Sequence, residues 1–162
     1  MRTFLIIATS ALVFTLAARN AAADPDHQPD AEHHDMSAMD APTQTLQAYA
    51  NAIASENVAK METYVASEGK AFTIFEGKGA NAGWADYRDH HLAPEFANPD
   101  LTFHTYKYKD ISTHTEGDLA FSTFSIEMVY TYKGEDKSRT GHGTAILRRH
   151  DNAWKIVHLH TS

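Results

Sequence analysis

The C-terminal end of the chain carries four long β-prone segments in succession, at residues 101–109, 120–133, 139–149 and 154–161. Each is rich in Thr, Tyr, Phe, Val and Ile, whose branched or aromatic side chains fit a pleated, half-buried surface. Turn-forming clusters separate them: Glu116-Gly117-Asp118, Lys133-Gly134-Glu135-Asp136 and Asp151-Asn152. So many consecutive strands require one broad sheet, and that sheet needs a cover on at least one face.

The cover comes earlier in the chain, where apolar spacing changes to steps of three and four. Leu46, Tyr49, Ala50, Ile53 and Ala54 predict an amphipathic helix beginning after Pro42. Glu56-Asn57 breaks it, and Asn57 can cap a second helix carrying Val58, Met61, Tyr64 and Val65 until Gly69 stops it. Residues 72–76 read as a short strand closed by Gly77-Lys78-Gly79. Asn81 can cap a third helix with the stripe Trp84, Tyr87, His91 and Leu92, which Pro94 should end or kink near Ala93. Helices first and strands afterwards predict an α+β fold, with three N-terminal helices packed on a curved, mostly antiparallel sheet.

The last hairpin suggests where a pocket could lie. A two-residue turn at Asp151-Asn152 pairs Arg149 with Trp154, Leu147 with Ile156, Ala145 with His158 and Gly143 with His160. On that register two imidazoles stand beside the smallest residues of the facing strand, which leaves room for a ligand. The opposite face, with His142, Thr144 and Ile146 against Val157, Leu159 and Thr161, is also fairly apolar. A second copy of the chain is the economical cover for it.

The N-terminal segment sets an expected address. Arg2 precedes an apolar run at residues 4–18, broken only by Thr9, Ser10 and Thr15, and Ala21-Ala22-Ala23 follows. Residues 1–23 therefore read as a cleavable signal peptide, too short and too soon followed by small residues for a membrane span. The chain has no cysteine, so neither a disulfide nor a cysteine-linked lipid is available. A periplasmic or secreted protein is expected, with no membrane attachment after signal cleavage. The formal net charge is −7, which argues against nucleic acid and anionic membrane as partners. Residues 24–42 hold Pro25, Pro29, Pro42 and six acids, and read as a disordered acidic linker. His27, His33, His34, Met36 and Met39 lie in it, and imidazole with thioether suits copper. Residues 43–162 are left as the folded domain.

Helix–helix–strand–helix followed by long strands resembles the cone-shaped fold of nuclear transport factor two. Phe75-Glu76-Gly77-Lys78-Gly79, continuing to Trp84-Ala85-Asp86-Tyr87-Arg88-Asp89-His90-His91-Leu92, is similar to the strand and third helix of exported SnoaL-like proteins. The ending Trp154-Lys155-Ile156-Val157-His158-Leu159-His160-Thr161-Ser162 resembles the closing strand of that group. It is also similar to the W-x-x-V-H-x-H-x-S pattern in the association domain of calcium/calmodulin-dependent kinase. The resemblance covers roughly residues 43–162. It implies a pocket between the curved sheet and the helices, and dimers or rings formed through the sheet. It does not fix an activity, since the superfamily includes isomerases, cyclases, dehydratases and non-catalytic binding domains. The tyrosine and carboxylate set of the ketosteroid isomerases is not placed on this chain.

The candidate ligand-binding residues are Glu76, Tyr87, His91, His158 and His160. The resemblance puts Glu76 at the pocket mouth, and Tyr87 and His91 stand one helical turn apart. Glu76, His91 and His158 are the candidate catalytic groups, able to move protons near neutral pH. The same residues also suit a buried polar network that fixes the fold. A copper or zinc ion is the third reading, with His158 and His160 completed by His91 or Glu76. His91 and Glu95 share helical spacing, but Pro94 between them should spoil it. Asp86 and His90 have that spacing on another face of the helix. No cysteine nucleophile, G-x-S-x-G elbow, P-loop or H-E-x-x-H motif is present. The expected function is binding of a small molecule in a Glu/His-lined pocket. The alternatives are a proton-transfer enzyme, isomerase or hydrolase-like, and a periplasmic copper or zinc binding protein.

Overall fold

The computed structural model describes residues 40–162. The expected signal peptide and nearly all of the linker, including His27, His33, His34, Met36 and Met39, lie outside the described residues.

Helix α1 spans Ala41–Ala54 and so begins inside the segment read as linker. Asp40 caps it by accepting the Thr43 N–H at 2.8 Å, and Pro42 occupies the first turn, where a missing N–H costs nothing. Its buried stripe is Leu46, Tyr49, Ala50 and Ile53. Helix α2, Val58–Glu62, is capped by Asn57, which accepts the Lys60 N–H at 3.0 Å. It stops well before Gly69. Val65 bridges to Ile156, and the Ala66 N–H donates to the Ile156 carbonyl at 2.9 Å. The sheet edge thus takes backbone groups that a longer helix would have used.

Strand β1, Thr73–Glu76, turns at Gly77-Lys78 into a second strand, β2, Gly79–Ala82. The sequence Gly-Ala-Asn-Ala has little intrinsic β preference, and only pairing with β1 makes it a strand. Asn81 is therefore not a helix cap. Its amide donates to Asp86 Oδ2 at 2.9 Å, and Gly83 holds the cap position instead with φ 107°. A Cβ on Gly83 would lie 2.7 Å from the Gly69 carbonyl oxygen, so both backbone conformation and space call for glycine.

The third helical stretch runs from α3, Trp84–Tyr87, through a π-helical turn, Arg88–Leu92, into α4, Ala93–Phe96. Pro94 does not end it. The Ala93 N–H reaches back five residues to the Arg88 carbonyl. That wider turn moves the preceding carbonyls away from the proline ring, which then sits in the first turn of α4.

Strands β3 (Leu101–Glu116), β4 (Leu119–Tyr132), β5 (Glu135–His150) and β6 (Ala153–Thr161) form the body of a curved, unclosed sheet. The strand order is β2-β1-β6-β5-β4-β3. Every pairing is antiparallel except β1 with β6. The helices cover the inner face, with α1 against β3 and β6, and the core of Leu46, Phe72, Trp84, Leu147 and Leu159 lies between the layers. This is the α+β architecture that the sequence pattern predicts.

The last hairpin departs from the expected register at one point. Arg149 pairs with Trp154 and Leu147 with Ile156 as expected, but Ile146 then pairs with His158, Ala145 with Leu159, Thr144 with His160 and Gly143 with Thr161. Val157 is the extra residue of a β-bulge, and beyond it every side chain of β6 changes face. The bulge lets both Ile156 and Leu159 turn inward, where they are fully buried. Gly143 leaves no room for an imidazole. A Cβ there would overlap the ring of Phe124 on the neighbouring strand, and that ring stacks on Tyr108 at 4.1 Å.

Candidate functional site

Glu76 ends β1 on the inner face, two residues beyond the buried Ile74. Its carboxylate is the hub of a small polar cluster. The Tyr87 hydroxyl donates to Glu76 Oε2 at 3.0 Å, and His91 Nε2 lies 3.1 Å from the same oxygen. Glu95 Oε2 is 3.7 Å from His91 Nε2. Pro94 thus leaves the His91–Glu95 spacing usable, because the helix continues through it. The Tyr87 and His91 rings lie 5.0 Å apart at 31°. Asp86 and His90 pair at 3.0 Å on the exposed side of the same helix, away from the cluster.

Environment sets the charge states. The hydrogen bond from His91 to Glu76 raises the imidazole pKa, burial opposes this, and the charges of Glu76 and Glu95 add to the rise. Burial raises the Glu95 pKa, and the neighbouring Glu76 charge raises it further. Tyr49, Tyr87, Tyr106 and Tyr108 surround Glu76, and all have their pKa raised first by burial, so each hydroxyl keeps its proton at neutral pH. The buried Tyr49 hydroxyl lies beside that of Tyr87, and the Tyr108 hydroxyl beside that of Tyr106.

An open cavity of about 360 Å³ adjoins the cluster. Glu76 and Tyr106 form its inner end, Ile126, Met128 and Gly141 its wall, and Arg139 stands at its side. Glu76 is therefore both the centre of the His91–Tyr87 cluster and part of the cavity lining.

His158 and His160 are elsewhere. The Val157 bulge turns both onto the outer face, with Thr73 and Phe75 of β1. His158 Nδ1 lies 2.8 Å from the Thr73 hydroxyl, and its ring meets Phe75 edge-on at 5.3 Å. Burial and then the nearby His160 lower its pKa. The structure thus brings Glu76, Tyr87 and His91 together and sets His158 and His160 across the sheet from them. His158 and His160 face the opposite side of the sheet from Glu76 and His91, so the structure does not bring them together as one ligand set. Among the described residues no cluster of three or more His, Asp and Glu side chains is arranged to hold a metal.

Sequence reasoning did not include Glu95, Tyr49, Tyr106, Tyr108 and Arg139 in the site. Tyr106 and Tyr108 carried a usable signal, since alternate residues of one strand share a face. Arg139 carried another: it continues the alternation of Gly141, Gly143 and Ala145 on the inner face of β5.

A family model described as the SnoaL-like domain matches residues 43–162. Comparison with curated protein sequences gives no match. Among solved structures, a nuclear transport factor 2-like superfamily protein from Salmonella enterica superposes with a TM-score of 0.64 at 18% identity, over 74% of this chain and 86% of that one. A provisional ketosteroid isomerase from Shewanella frigidimarina gives 0.63 at 25% identity, over 76% and 95%. A CamKII hub homology domain from Chlamydomonas reinhardtii gives 0.58 at 20% identity, over 76% and 98%.

Proposed function

We propose, on the premise that this chain belongs to the SnoaL-like domain family, that it is an exported protein that binds a small, partly apolar molecule in the cavity beside Glu76. One observation carries the reading: Glu76 is fixed from behind by Tyr87 and His91 and is open in front to a cavity walled by Ile126 and Met128. A preformed pocket with an apolar wall and few, well-held polar groups is the usual form of a small-molecule site. N-phenyl-1-naphthylamine, a neutral fluorescent probe, should bind saturably at one site per chain. Met128→Trp, which fills the wall without touching Glu76, should weaken that binding at least tenfold. Unchanged probe binding in Met128→Trp, or no saturable binding to the wild type, sinks the reading.

The same cluster favours a second reading, a proton-transfer enzyme. A histidine of raised pKa shares an oxygen with a carboxylate at the edge of open space, and such a pair can relay a proton to or from a bound molecule.

The outer face supports a homodimer. Across it run His114, Phe121, Ile146, His158 and Thr73 in one paired row, with Phe75 and Phe121 each 49% exposed and Ile146 39% exposed. An apolar sheet face of this extent calls for a cover, and a copy of the same face fits a two-fold interface. Sedimentation equilibrium of the purified protein should give twice the chain mass, and the joint change Phe121→Asp, Ile146→Asp should halve it. The same sample, exported and weighed by mass spectrometry, should begin at Asp24. A monomeric wild type overturns the interface, and a mass that retains residues 1–23 overturns the signal peptide.

A further inference from the structure

We infer that the cavity selects an anionic ligand, a small organic acid with an apolar body, and that Arg139 is the residue that fixes its carboxylate. The inference rests on the ligand-binding reading above and adds the chemical class of the ligand.

On β5 the inner-face positions are Leu147, Ala145, Gly143 and Gly141, all apolar or lacking a side chain, and Arg139 follows them, opposite Met128 of β4. Arg139 is exposed there, so its guanidinium stands hydrated at the open cavity and is free to exchange water for a ligand. Arg88 and Arg149 each hold a carboxylate, Asp89 and Asp118, within 3 Å. Arg139 has no ion-pair partner among the described residues, yet it lines the cavity.

Charge balance within the cavity points the same way. Glu76 is the side-chain carboxylate in the lining, and its charge is already met by the Tyr87 hydroxyl and by His91. Tyr106 is held neutral by burial and can only donate or accept a hydrogen bond. Among the described residues, the charged side chain of the lining without an ion-pair partner is Arg139. The chain as a whole is acidic, with a formal charge of −7, so long-range attraction does not bring anions to it. Selection for an acid must come from a local, directional cation, and the guanidinium fork matches a carboxylate with two parallel hydrogen bonds. Ile126 and Met128 beside it take the hydrocarbon part.

Hexanoate and hexanamide, which share one acyl chain and differ in charge, test this by isothermal titration calorimetry at pH 7.5. The wild type should bind hexanoate about tenfold more tightly than hexanamide, the difference expected between a charge-assisted and a neutral hydrogen-bonded pair. Arg139→Gln should lower hexanoate to the hexanamide level. Arg148→Gln, an exposed arginine outside the cavity lining, should keep the discrimination. Equal binding of the two compounds by the wild type, or the same loss in both arginine variants, overturns the anion inference while the ligand-binding reading stands on the hexanamide and naphthylamine results. Failure of all three probes to bind overturns the ligand-binding reading itself.

Discussion

Trp84→Ala is expected to lower stability by about 3–5 kcal/mol, the range for deleting a large buried aromatic side chain. Domains of this size are held by only about 5–15 kcal/mol in total, so the variant should sit near the edge of folding. Trp84 is the first residue of α3 and is 1% exposed. It meets Phe72 edge-on with ring centroids 6.0 Å apart, and Tyr87 at 6.2 Å. These contacts fasten the third helical stretch to the segment leading into β1, and the Tyr87 hydroxyl in turn holds Glu76. Among the described residues the indole N–H has no hydrogen-bond partner, so the loss is one of packing. Urea unfolding followed by circular dichroism should show a much lower midpoint with little change in slope. Trp84→Phe, which keeps most of the aromatic volume, should recover a good part of the loss. A loss below about 1 kcal/mol in Trp84→Ala would show that the layer relaxes around the gap and that Trp84 is not closely packed.

The parts of this fold that were legible in sequence are those governed by long runs of one period. The stripe of Leu46, Tyr49 and Ile53 gave α1, and the β-rich segments with their turns gave four strands and an antiparallel sheet. The parts that were not legible depend on single residues whose behaviour is decided by partners distant in the chain. Gly79–Ala82 becomes a strand only because β1 offers it a ladder. Pro94 is tolerated because a π-helical turn precedes it, and nothing local marks that turn. The bulge at Val157 matters most for the site. One extra residue in β6 carries His158 and His160 from the inner face to the outer one. Two-residue alternation cannot foresee a bulge, since the energy that favours it is the burial of Leu159 against helices elsewhere in the chain. By contrast, Tyr87 and His91 came together with Glu76 because helical spacing survives the π turn well enough to keep both on one side.

Glu76→Gln is expected to lower the pKa of His91 and to flatten the dependence of stability on pH. Glutamine keeps nearly the same shape and an acceptor oxygen for the Tyr87 hydroxyl, so the change removes charge with little loss of packing. In the wild type the hydrogen bond to Glu76 is the largest contribution to the raised His91 pKa. Without it, burial pulls the imidazole down, and only Glu95, at 3.7 Å, still favours the cation. The sign of the stability effect follows. Because the folded-state pKa of His91 is raised, its protonated form adds stability that is fully present below the unfolded value of about 6.5 and is lost as pH rises through the folded value. Glu95 acts in the same direction at lower pH. Burial and the charge of Glu76 raise its pKa, so the fold loses stability as pH rises from the ordinary glutamate range through that raised value. Glu76→Gln weakens both effects. The wild type should therefore lose more stability than the variant between pH 5 and pH 9, measured by urea unfolding at each pH. An NMR titration of the His91 ring should show its midpoint moving down in the variant. Parallel stability curves with an unchanged His91 midpoint would mean that solvent already screens the Glu76–His91 contact. The proton-transfer reading would then lose its footing, because a carboxylate that does not tune the imidazole cannot set its basicity for catalysis.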